Sequence, residues 1–214
     1  MDFLEKDNFS PDEISSLNEI SAMGAKRAAV VLSKMIGKNI DVSFPAIGIA
    51  NLYDAIGEHI PRQQLVSFVF SRFNGSINGT AALVFSSEST VTILHSLYKR
   101  NVSSLEFLEQ IDYSILKETG NVLISSFLNA LCNTFELTTL PTVPDVAVDF
   151  IEAILDSFSL VIYMDGREKL VSVRTELIAT PDGNAIFGTL LLLFDSTEDL
   201  NAILHAKLRK QGKP

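Results

Sequence analysis

The stretch Ser114–Asn129, SILKETGNVLISSFLN, decides how the rest of this chain is read. On a helix at 100° per residue, Ser114, Glu118, Asn121 and Ser125 fall on one narrow polar stripe, and Ile115, Leu116, Val122, Leu123, Ile124, Phe127 and Leu131 are expected to cover the opposite side. A surface helix needs a polar face, but not a carboxylate and a carboxamide three residues apart among small neighbours. Spacing alone leaves two readings open: an ordinary solvated stripe, or a site.

An internal repeat bears on that choice. Ser15, Glu19 and Pro45 recur as Ser114, Glu118 and Pro144, each displaced by 99 residues. Further on, Gly79-Thr80-Ala81-Ala82-Leu83-Val84-Phe85 recurs as Gly188-Thr189-Leu190-Leu191-Leu192-Leu193-Phe194, and Ile93-Leu94-His95 as Ile203-Leu204-His205. The offset grows by about ten residues, which we assign to Ser159–Gly166, reading Leu160–Met164 with Asp165-Gly166 as an added strand and turn.

Working outward, Ser10-Pro11 reads as a helix N-cap with Pro in the first turn, the helix running to about Met35 and stopping at Gly37. Ile40–Phe44 alternates with period two and ends at Pro45, as a half-buried strand does. A short helix is expected over Asn51–Glu58, then strands over Leu65–Phe73 and Thr80–Phe85 parted by Asn74-Gly75 and Asn78-Gly79, then a helix over Ser86–Tyr98. After a connector at Lys99–Ser104 the order repeats, with a short helix over Asp145–Asp156. The expectation is one α/β (α+β) domain over residues 1–214, made of two repeats at about 12–98 and 111–208. Each repeat reads long helix, strand, short helix, strand pair, closing helix, with the sheets joined and the two long helices displaying their stripes.

Composition narrows the function. The 214 residues are 47% hydrophobic and 20% charged, enough to bury a substantial core. A net charge of -9 argues against a nucleic-acid partner, whose phosphates need clustered Lys and Arg. The acidic N-terminus does not read as a signal peptide and the apolar run Leu190–Phe194 is too short for a bilayer, so a cytoplasmic protein without membrane contact is expected. Cys132, alone among apolar residues, reads as core in a reducing compartment. The three histidines, His59, His95 and His205, are too scattered to ligate a metal; His95 and His205, equivalent under the repeat, read as packing or capping groups. No nucleophile elbow, phosphate loop or dinucleotide fingerprint occurs.

Asp or Ser, three residues, Glu, two residues, Asn, twenty-two residues, Pro is the signature of the CheC/CheX/FliY family of chemotaxis response-regulator phosphatases. Ser114, Glu118, Asn121 and Pro144 match it at every spacing, and the resemblance extends from about Asp12 to Leu208. In the first half Ser15, Glu19 and Pro45 fit, but Ala22 stands at the amide position and Lys26 opposite Ser125.

The resemblance implies a phosphatase acting on the aspartyl-phosphate of a CheY-type receiver, with one intact site, Glu118 and Asn121, and one degraded, Glu19 and Ala22. Asn121 would hold a water in line with the phosphorus, and Glu118 would pair with the partner's lysine. Ser15, Ser114, Glu19 and Ser125 would contact the partner, or Ser114 would support its helix, whereas Pro45 and Pro144 would be structural. No cofactor or metal is implied in this chain; magnesium belongs to the receiver. Two alternatives stay open: an adaptor for the CheD receptor deamidase, with Asp145–Asp156 as the guessed surface, or a FliY-like flagellar-switch component, the less expected because neither a switch-binding region nor a rotor domain is read at the ends. A monomer is expected, because the duplication supplies internally what a single-repeat relative gains by dimerising.

Overall fold

A computed structural model describes residues 10–37, 40–42, 46–50, 60–61, 63–164, 170–179 and 186–210. The first long helix, α1 (Pro11–Ile36), starts as its sequence dictates. Ser10 Oγ accepts from the Glu13 amide and Glu13 Oε2 accepts from the Ser10 amide at 2.6 Å, forming a capping box. It stops at Gly37, whose φ of +75° suits the left-handed cap.

Two short strands, β1 (Ile40–Val42) and β2 (Ala46–Ala50), precede the hairpin β3 (Leu65–Gly75) and β4 (Gly79–Ser86), and α2 (Ser87–Tyr98) follows. A 3-10 turn at Leu105–Phe107 leads into the second long helix, α3 (Gln110–Phe135). Then come β5 (Thr139–Pro141), β6 (Asp145–Phe150), α4 (Ile151–Met164), the pair β7 (Leu170–Ala179) and β8 (Ile186–Phe194), and α5 (Thr197–Lys210).

The eight strands among the described residues form one antiparallel sheet. The hairpins β3–β4 and β7–β8 meet where β4 pairs with β8, Leu83 opposite Leu190. The outer strands cross over: β1 and β2 pair with β7, whereas β5 and β6 pair with β3. Exchanging β1–β4 for β5–β8 leaves this scheme unchanged, a pseudo-twofold pattern of pairing. It also welds the parts together, because each hairpin's outer edge is completed from the other part of the chain.

Period-two alternation sends neighbouring residues to opposite faces. Leu83, Phe85, Leu190, Leu192 and Phe194 lie under α1, α3, α2 and α5, whereas Ala82, Val84, Leu191 and Leu193 lie under Ile151, Ile154 and Leu155 of α4. The apolar run at 190–194 therefore belongs to a strand covered on both sides.

Two expected elements differ. Leu160–Met164 is the end of α4 rather than an added strand. Ile151, Ile154, Leu155 and Phe158 recur at helical spacing against the sheet, and that packing carries the helix through a run that fits a buried strand just as well. Asp145–Phe150 is strand β6 rather than the start of a short helix. Its alternation of Val146, Val148 and Phe150 with Asp145, Ala147 and Asp149 suits a strand added to β3, so helix begins only at Ile151. Two strands, not one, thus follow each long helix. The expected helix at Asn51–Glu58 and the residue Pro45 lie outside the described residues.

Candidate functional site

Three devices fix α3 as a platform. At its start, Arg100 reaches back from the connector, Nε donating to Asp112 Oδ1 at 2.7 Å and Nη2 to Oδ2 at 3.1 Å and to Glu109 Oε2 at 2.8 Å. Asp112 is fully buried and also accepts from the Glu109 amide at 2.9 Å. The Arg100 hydrogen bonds hold the Asp112 carboxyl below the usual carboxylate range against the opposing effect of burial.

One turn further, Lys117 Nζ lies 2.7 Å from Asp145 Oδ1. That contact lowers the Asp145 pKa and fastens the corner after the buried Pro144 to the helix. Lys117 is thereby committed to a partner beside Glu118. Third, Gly120 lets the helix lie directly on β3: a Cβ there would sit 2.3 Å from Val69 Cγ1.

The signature residues then fall as follows. Glu118 and Ser114 are exposed, and Asn121 and Ser125 are half-buried. Neither the Glu118 nor the Asn121 side chain has a hydrogen bond or ion pair with a described residue. Ser114 is committed locally, its Oγ donating to the Gln110 carbonyl at 3.1 Å. Of the residues expected opposite, Ile115, Leu116, Leu123, Ile124, Phe127 and Leu131 are buried. Val122 is only half-buried, because four residues past Glu118 it stands just 40° around the helix from it.

On α1, Ser15, Glu19 and Lys26 are exposed and Ala22 is half-buried. Gly24 faces Phe127 of α3, 3.0 Å from where a Cβ would stand, which brings the two helices together. Beyond that contact a groove of about 600 Å³ opens between them, with Met23, Lys26, Arg27 and Val30 on one wall and Ser126 and Asn129 on the other. The structure thus puts a carboxylate and an amide on one helix and a carboxylate followed by cations and methyl groups on the other.

The remaining candidates are structural. Cys132 is buried and its Sγ lies 3.8 Å from the Thr139 carbonyl; burial pushes the thiol up, away from nucleophilic use. His95 Nδ1 meets Asn101 Oδ1 at 3.0 Å, whereas His205 Nε2 meets Glu13 Oε1 at 3.1 Å, so the equivalent histidines fasten different segments. Among the described residues no group of three His, Cys, Asp or Glu could hold a metal, and no helix is long and apolar enough to cross a membrane.

No protein-family model matches the chain. It is 23% identical over 205 residues to the CheY-P phosphatase CheC of Bacillus subtilis (strain 168), covering 92% of this chain and 96% of that protein. This chain is similar to CheC over nearly its whole length. The solved structure of Thermotoga maritima FliY shares the fold at a TM-score of 0.71, with 16% identity, 93% of this chain covered and 98% of that one. The chemotaxis protein CheX of Desulfovibrio desulfuricans matches at 0.52, with 15% identity and 81% and 99% covered. In this shared fold the residues that sequence reasoning passed over are the fasteners: Arg100, Asp112, Lys117, Asp145 and Gly120. Only Gly120 left a usable sign, an isolated glycine inside an otherwise regular helical pattern.

Proposed function

We propose that this CheC-like chain accelerates hydrolysis of the aspartyl-phosphate on a CheY-type receiver, through Glu118 and Asn121 of α3. The observation that carries the reading is the pair itself: two uncommitted polar side chains, one turn apart on a helix fixed at both flanks. At i and i+3 their Cβ atoms stand roughly 5–6 Å apart, so both can enter one partner cleft.

Asn121 both donates and accepts hydrogen bonds, as required to hold a water in line with the phosphorus. Glu118 opposes the receiver's lysine and sets the docking register. The receiver brings the leaving carboxylate, the magnesium and the lysine, so this chain adds only position and a water. Ala22 offers no hydrogen bond, so α1 supplies no equivalent group.

A second reading, binding of a CheD-type deamidase, draws on Phe150, 52% exposed at the β6–α4 junction beside exposed Asp149, Glu152 and Asp156. Dephosphorylation of a phosphorylated CheY-type receiver, followed with and without CheD, separates the two. Asn121→Ala is expected to abolish the acceleration while circular dichroism and thermal unfolding stay those of the wild type. Equal rates for the two proteins would overturn the catalytic reading.

A further inference from the structure

Two large apolar side chains stand exposed at the start of the site helix. Ile111, in the first turn of α3, is 52% exposed, and Phe107, in the 3-10 turn before it, is 67% exposed. The segment carrying them is anchored beneath by buried Leu105 and by the Arg100 bridges to Glu109 and Asp112. Seven residues before Glu118, Ile111 lies within about 20° of it around the helix, two turns up the same face. Under the 99-residue repeat its counterpart on α1 is Asp12, an exposed carboxylate. The helix that keeps the amide therefore also keeps an apolar group at its head, and the helix that lacks the amide lacks that group.

We infer that Ile111 and Phe107 anchor the same receiver partner, fixing affinity and partner choice while Glu118 and Asn121 act at the phosphate; this rests on the function proposed above. A standard interface covers about 800 Å² on each side, a disc of roughly 16 Å radius. Ile111 lies about 13 Å along the axis from the midpoint of Glu118 and Asn121, at 1.5 Å per residue. A globular partner centred on those two residues covers Ile111, and Phe107, four residues earlier in the chain, is the next exposed apolar side chain before the helix. The chemistry of the partner follows: an apolar patch about one helix-diameter from its acyl phosphate, on the side of the cation facing Glu118. Desolvated apolar anchors carry more binding energy than rim charges, and a receiver with a charged group at that place is rejected.

The test uses the full chain and the CheY-type receivers of its own organism, phosphorylated with acetyl phosphate. Receiver concentration is varied against wild type, Phe107→Ser/Ile111→Ser, Phe107→Leu/Ile111→Leu and Asn121→Ala. The serine double variant is expected to raise the half-saturating receiver concentration about tenfold, with kcat within about twofold of wild type. The leucine pair is expected to stay near wild type, and Asn121→Ala to lower kcat instead. An active wild type whose half-saturation is unchanged in the serine variant overturns the anchor alone. A wild type inert toward every receiver overturns the proposed function, and the anchor with it.

Discussion

Replacing Gly120 by alanine tests whether contact with β3 sets the position of the site helix. The added Cβ would stand 2.3 Å from Val69 Cγ1 and 3.0 Å from Val69 Cβ. Ordinary contact begins near 3.4 Å, so the groups must part by about 1.1 Å. Val69 is 1% exposed, and its strand is paired on both sides, Val69 opposite Leu83 of β4 and opposite Val146 of β6. The strand cannot retreat, so the helix moves. Two effects oppose each other: alanine gains about 1 kcal/mol of helix propensity over glycine, and overpacking costs about 1–3 kcal/mol. With a β-branched neighbour on a doubly paired strand, overpacking wins, and a net loss of about 1 kcal/mol is expected. At an exposed helix position the same change would stabilise, so the sign decides.

A double-mutant cycle separates this contact from any general effect. Val69→Ala removes both Cγ atoms and leaves a cavity, costing about 1–3 kcal/mol. Alanine at position 120 then fills part of that space, so the double variant is expected to lose at least about 1 kcal/mol less than the two singles together. Urea unfolding of the four proteins, followed by circular dichroism, gives the coupling. Additivity within about 0.5 kcal/mol, or a Gly120→Ala protein more stable than wild type, refutes the reasoning. Activity should follow position: a shift of about 1 Å in the adjacent Asn121 costs up to about a hundredfold in receiver dephosphorylation, and Val69→Ala restores part of it.

The remaining predictions concern the fasteners, the second helix and the thiol. Because the folded Asp112 pKa is depressed, its stabilisation is complete above the ordinary carboxylate range and is lost as the pH falls through the folded value. Asp112→Asn is therefore expected to cost about 2 kcal/mol at pH 7 and to flatten the fall of stability below about pH 4 in urea titrations; an unchanged acid slope would contradict the assignment. Ala22→Asn in an Asn121→Ala background is expected to recover little receiver dephosphorylation, since α1 carries Asp12 where α3 carries Ile111; full recovery would show that the amide alone makes the site. Cys132, buried with its thiol pushed up, should resist iodoacetamide in the native protein and react only as urea unfolds it, which mass spectrometry reads directly.

Much of this fold is legible where a residue type permits only one local outcome. Ser10, Pro11 and Gly37 bound α1, and Asn78-Gly79 separates β3 from β4, because capping and turn chemistry act within a few residues. The misread segments are those where local and tertiary demands diverge. Leu160–Met164 suits a strand or a helix equally, and the sheet beneath Ile154, Leu155 and Phe158 makes the choice. At Asp145–Phe150 pairing with β3 makes a strand of a segment whose sequence also suits the start of a helix. The stripe of α3 is legible from its 3.6-residue period, since Ser114, Glu118 and Asn121 share one face under any straight helix. What holds that stripe is not, because Arg100 with Asp112, Lys117 with Asp145 and Gly120 with Val69 are contacts across the fold.

Those contacts also distinguish the surroundings of the two long helices. A water-positioning amide works only if its backbone stays where it is set, so the demand falls on the platform rather than on the amide. On α3 the buried start is held by a guanidinium that makes three hydrogen bonds, charged at every physiological pH. On α1 the corresponding buried acid, Glu13, meets the imidazole of His205, whose side chain is 62% exposed. A contact with that exposed ring is more open to solvent than the guanidinium clasp on Asp112, where Arg100 is 33% exposed. At the position of the amide α1 carries Ala22, and Met23, Lys26 and Arg27 line its wall of the groove. Under the proposed function α3 needs its face, its glycine and its fasteners together, whereas Ala22 places no such demand on α1.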